Sequence, residues 1–130
     1  MNKARFEEIA GEEFSRVPPK FAGRLKNVAL LVEDRGDGRL LGLYQGVPAT
    51  ERGAGYGDLG TLPDTITLFY EPLMGEAVEF VHAGRTASLE EAVRFAIRET
   101  LWHEIAHQFG MDEEAVDQRE GERTNRFKAL

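Results

Sequence analysis

Hydrophobic and polar positions divide the chain into a few clear segments. Over residues 2–15, Phe6, Ile9, Ala10 and Phe14 recur at helical spacing and predict an amphipathic helix that Pro18 and Pro19 stop. Phe21–Leu25 is expected to add a short helical turn. Val28–Val32 is a near-continuous apolar run and predicts a buried strand. Asp34–Gly38 is turn chemistry, so Leu40–Gln45 is expected to pair back on that strand as a hairpin. A loop bearing Gly and Pro over 46–64 leads to Thr65–Tyr70, a strand closed by Pro72. Residues 76–82 fit strand or helix equally.

A long helix is predicted over about 88–109. Ser88 and Glu91 form a capping box. From there Leu89, Ala92, Val93, Ala96, Ile97, Thr100 and Leu101 keep helical spacing. The tail from Asp112 is polar and is expected to be helical for a stretch, then frayed. The expected class is α+β, a small mixed sheet packed on an N-terminal helix and a long later helix, an arrangement that the resemblance described below implies. No repeat or linker divides residues 1–130, so a single domain is expected.

The chemistry is concentrated at the end of the long helix. Residues 103–107 read His-Glu-Ile-Ala-His, an H-E-x-x-H pattern. Histidines four apart lie on one helix face, close enough to grip one metal ion. Glu104, beside the first, is placed to take a proton from a metal-activated water and hand it to a leaving amine. Gly110, three residues after His107, suits the left-handed residue at a helix end, so the chain can turn back toward the metal. Glu113 then falls where an H-E-x-x-H-x-x-G-x-x-H pattern places its third ligand. Asp112 is the alternative, with Asp117 and Glu120 behind it. A His-His-carboxylate set suits Zn2+ and leaves a position open for water.

These segments resemble the small bacterial zincin-like metallopeptidases, short single domains of mostly unassigned substrate. HEIAHQFGMDE is similar to that family's metal motif, in which an acidic residue follows the glycine. LYQGVP, TERG and LPDTITLF resemble its second block, and RFEEIAGEEFSRVPPKF its first helix. The resemblance implies a zincin-like fold and zinc peptidase chemistry. It also implies that a sheet edge runs along the cleft and pairs with an extended peptide; Thr65–Tyr70 or Leu40–Gln45 is the candidate edge. The larger metzincin group has a Met-turn beyond the third ligand, and no Met follows Met111 here.

Composition narrows the field. The chain has 130 residues, enough for a core without staples. It has no Cys, so disulfides and thiolate ligands are excluded and a metal must be held by His and carboxylates. The net charge of −7 argues against nucleic acid as a partner. No apolar run reaches membrane-spanning length, and the charged opening does not read as a signal peptide. A cytoplasmic protein acting on a peptide or protein substrate is the expectation, with its oligomeric state unassigned.

Other features are set aside. Gly55–Gly60 matches G-x-G-x-x-G but lacks the strand before and helix after that a dinucleotide site needs. His82 lacks ligand spacing and suits a surface or capping role. Tyr44, Tyr56, Tyr70 and Arg52 are the candidate donors to an oxyanion, and sequence does not choose among them. Two readings compete with a peptidase: a metal-binding module without hydrolysis, and a zinc hydrolase of a non-peptide amide.

Overall fold

The computed structural model describes residues 1–17, 25, 27–46 and 63–108. In chain order the elements are helix α1 (Lys3–Ser15), strands β1 (Val28–Glu33), β2 (Gly42–Gln45) and β3 (Asp64–Phe69), and helices α2 (Tyr70–His82) and α3 (Leu89–Gln108). The α+β class follows: the described residues form a three-stranded mixed sheet with three helices.

The sheet order is β1-β3-β2. β3 lies parallel to β1, with Leu30 opposite Ile66, and antiparallel to β2, with Leu43 opposite Thr67. The expected hairpin of Leu40–Gln45 on Val28–Val32 is therefore absent; β3 stands between the two. The reason is burial. Ile66, Leu68 and Phe69 of β3 are buried, and a strand with that much apolar surface is best placed in the centre. The apolar run of β1 was expected to be buried, yet it takes an edge. Its residues are half-buried at most, and Leu31 is 43% exposed.

Ile66 and Leu68 leave β3 on one face and meet Phe6 and Ile9 of α1 and Val93, Ile97, Leu101 and Ile105 of α3. All eight have essentially no exposed surface. Each such side chain contributes about 1.5–3 kcal/mol by leaving water. On the opposite face, the Phe69 ring is covered by the backbone at Gly36, where a Cβ would stand 2.5 Å from Phe69 Cζ.

The helices begin where their caps allow. Asn2 caps α1, its side-chain oxygen accepting from Arg5 N–H at 2.9 Å. Strand β3 runs straight into α2, so Tyr70, expected at the end of the strand, is helical. Pro72 sits in the first turn of α2, where its missing N–H has no intrahelical partner to lose. The ambiguous residues 76–82 are thus helix. At α3 the capping box is half realised. Ser88 Oγ accepts from Glu91 N–H, but the Glu91 carboxylate takes the Thr86 hydroxyl, and Ser88 N–H donates to Thr86 Oγ1.

Helix α1 is locked to α3 by charge. The Glu13 side chain is fully buried and accepts from Arg94 Nη1 at 3.2 Å and Arg98 Nε at 2.9 Å. Arg94 also reaches Glu12 at 2.7 Å, and its hydrogen bond holds the Glu12 carboxyl below the usual carboxylate range. This clamp fixes the long helix on the core one turn before its metal motif. Residues 18–24, which include most of the expected Phe21–Leu25 turn, lie outside the described residues, as does the tail from 109 onward.

Candidate functional site

His103, Glu104 and His107 occupy the last two turns of α3. Their neighbours Leu101, Ile105 and Ala106 are buried, so the core orients the helix and turns the other face outward. His103 and Glu104 are half-buried and His107 is exposed. The two imidazole centroids lie 4.4 Å apart with ring planes at 61°. Two nitrogens bound to one tetrahedral ion at 2.0–2.1 Å stand about 3.3 Å apart, a spacing that rings this close can meet. The pair therefore fits the donor chemistry of zinc. Among the described residues no third His, Asp or Glu completes a metal cluster. Glu113, Asp112, Asp117, Glu120 and the helix-ending Gly110 lie outside the described residues.

Glu104 turns toward the sheet. Its Oε2 accepts the backbone N–H of Tyr44 at 3.3 Å. Among the described residues β2 is an edge strand, at the end of the order, and the site helix packs against it. Of the two candidate edges, Leu40–Gln45 thus supplies one and Thr65–Tyr70 is central. Gly42 permits the contact: a Cβ there would stand 2.6 Å from Thr100 Cγ2 and 3.2 Å from the Thr67 carbonyl oxygen.

A cleft of about 440 Å³ opens beside His103 and Glu104. Arg39, Leu40, Leu41 and Gly42 form one wall, Glu76 and Phe80 of α2 another, and Phe95, Ala96, Glu99 and Thr100 of α3 the floor. Phe80 and Phe95 meet edge to face at 5.2 Å, making the far end apolar. The sequence reading missed these lining residues. Phe95 carries the only available signal, an aromatic beside the expected stripe; Phe80 fell in the ambiguous segment.

The candidate oxyanion donors separate. Tyr70 hydroxyl donates to the Met1 carbonyl oxygen and its ring packs edge to face on Phe6, a structural role. Tyr44 hydroxyl donates to Asp64 Oδ2 at 2.7 Å. Tyr56, Arg52 and the Gly55–Gly60 loop lie outside the described residues. His82 is exposed in the last turn of α2, as a surface role requires. Among the described residues, no helix is long and apolar enough to cross a membrane.

A family model described as zincin-like metallopeptidase matches residues 25–123, a span that takes in the sheet, α2, α3 and the whole H-E-x-x-H motif. No curated protein matches the chain.

Proposed function

The chain belongs to the zincin-like metallopeptidase family, and we propose that it is a zinc-dependent peptidase with Glu104 as its general base. One observation carries the reading. Two imidazoles lie side by side on one helix face, and the first of them, with the carboxylate that follows it in sequence, lines a cleft.

In this reading His103 and His107 hold Zn2+, and Glu113 supplies the third ligand, with Asp112 as the alternative. The ion would supply a Lewis acid and a water acidified to near neutrality. Glu104 accepts the proton of that water and returns it to the leaving amine. The helix keeps all three groups together, because positions i, i+1 and i+4 are fixed by its period. Residues 1–130 act as one peptidase domain.

The substrate is a peptide or protein segment in extended form. Among the described residues the outer edge of β2 at Gly42, beside the Tyr44 N–H that Glu104 holds, offers it strand pairing, and the cleft receives a neighbouring side chain. The Phe80 and Phe95 rings favour an apolar side chain there. Glu76 on one wall and Glu99 on the floor disfavour an acidic one beside them, and Arg39 lies on the other wall. The net charge of −7 speaks against nucleic acid as the substrate, and a cysteine-free composition suits the reducing cytoplasm.

Metal analysis joined to a peptide-library screen tests the reading. The parent is expected to hold one zinc per chain and to cleave peptides. His103→Ala loses the metal. Glu104→Gln keeps it and loses hydrolysis by at least about 10²-fold. Glu113→Gln weakens zinc binding where Asp112→Asn does not. A Glu104→Gln variant as active as the parent removes Glu104 from the role of base. Zinc without any hydrolysis favours a metal-binding module, and cleavage of non-peptide amides alone favours a different hydrolase.

A further inference from the structure

Edge strand β2 does more than flank the site. In an antiparallel ladder, alternate residues turn both backbone polar groups toward the partner strand. Phe69 N–H donates to the Leu41 carbonyl oxygen, and Leu43 stands opposite Thr67. Residues 41, 43 and 45 therefore face β3, and the N–H groups of Gly42 and Tyr44 face outward. Tyr44 is where the outward side meets α3, and its N–H donates to Glu104 Oε2 at 3.3 Å.

Tyr44 is itself anchored. Its hydroxyl donates to Asp64 Oδ2 at 2.7 Å, and Asp64 N–H donates to the Asn27 carbonyl oxygen at 3.0 Å. Asp64 opens β3 and pairs in register with Val28 of β1. One connected path thus runs from β1 through β3 and the Tyr44 side chain to the carboxylate on α3. The close approach of Gly42 to Thr100 holds strand and helix at the distance this path needs.

We infer that Tyr44 is a positioning residue for Glu104: its backbone N–H holds one carboxylate oxygen and so leaves the other to take the proton. This inference rests on the peptidase reading for its consequence, although the hydrogen bond does not. A glutamate on a helix has three side-chain torsions and samples several rotamers. Fixing one oxygen removes most of that freedom before substrate arrives.

Two measurements on the full chain test it. The first is amide hydrogen exchange at Tyr44, read by NMR. In the parent this N–H is expected to be protected although it faces away from the ladder. In Glu104→Ala its exchange speeds up by about tenfold, while that of Leu43, inside the ladder, is unchanged. Unchanged protection at Tyr44 overturns the inference. Glu104→Gln, which keeps an acceptor oxygen and the shape of the side chain, is expected to retain much of the protection. Loss as complete as in Glu104→Ala overturns it too.

The second measurement replaces the Tyr44 amide by an ester, using the α-hydroxy acid analogue of tyrosine, which deletes the N–H, keeps the side chain and weakens the Leu43 carbonyl as an acceptor; the same exchange at Gln45, which leaves the Tyr44 N–H in place, is the control. The expected result is a fall of about tenfold in kcat, with KM and zinc affinity unchanged and no further fall in the Glu104→Gln background. An ester chain as fast as the parent overturns the positioning role while leaving the peptidase reading intact. A protected amide in a parent that hydrolyses nothing overturns the peptidase reading and the role with it.

Discussion

Gly42 on β2 and Thr100 on α3 approach so closely that no side chain fits between them: a Cβ at position 42 would stand 2.6 Å from Thr100 Cγ2. This contact sets the separation between the edge strand and the helix that carries His103 and Glu104. Gly42→Ala is expected to cost about 1–3 kcal/mol through overpacking. Adding Thr100→Ser, which removes the opposing methyl, restores most of the loss. Denaturant unfolding of the two variants measures it, and a Gly42→Ala chain as stable as the parent contradicts the close approach.

Zinc binds the folded chain and is expected to raise its melting temperature. At free zinc a hundredfold above Kd the gain is about 2.7 kcal/mol, and a chelator reverses it. His103→Ala and His107→Ala show no such rise. Thermal scans with and without chelator read the effect, and an equal rise in the His103→Ala chain places the metal elsewhere.

Leu40 stands at the rim of the cleft and is 41% exposed, so it can be changed at little cost to the fold. Leu40→Asp is expected to raise KM for peptides with an apolar side chain beside the scissile bond and to leave kcat nearly unchanged, the signature of lost uniform binding. Unchanged KM and kcat place Leu40 outside the substrate path.

Glu13 meets Arg94, Arg98 and, at 3.5 Å, Arg16 while fully buried, whereas its neighbour Glu12 meets Arg94 at a side-chain exposure of 45%. Charge-assisted bonds at a buried group are worth more than those at the surface. Glu13→Gln is expected to destabilise by about 2–3 kcal/mol. Glu12→Gln has a clearly smaller effect, and a reversed order in chemical denaturation counts against the clamp.

Acid weakens the same clamp. The hydrogen bond to Arg94 lowers the Glu12 carboxyl below its ordinary value of 4.5 in the folded chain. The unfolded chain therefore binds this proton first, and folding stability rises with pH across that interval. The contribution of Glu12 is present above pH 4.5 and lost as pH falls through the lowered folded value. Urea midpoints taken from pH 6 downward should fall less steeply in Glu12→Gln than in the parent.

The sequence by itself determined what depends on neighbours along the chain. Helical spacing from Ser88 onward located α3, and the same period fixed His103, Glu104 and His107 relative to one another. The donor types, with no Cys present, limited the chemistry to His and carboxylate. Tertiary structure alone decided which strand became central. Val28–Val32, a near-continuous apolar run, and Thr65–Tyr70, an alternating one, both read as strands, and neither pattern states how many partners a strand has. Burial chose Ile66 and Leu68 for the centre, which left Tyr44 on an outer edge against α3. The bond from Tyr44 N–H to Glu104 joins residues 60 positions apart through a backbone atom that every residue except proline carries. No residue type signals such a contact; only the packing of edge strand on helix creates it.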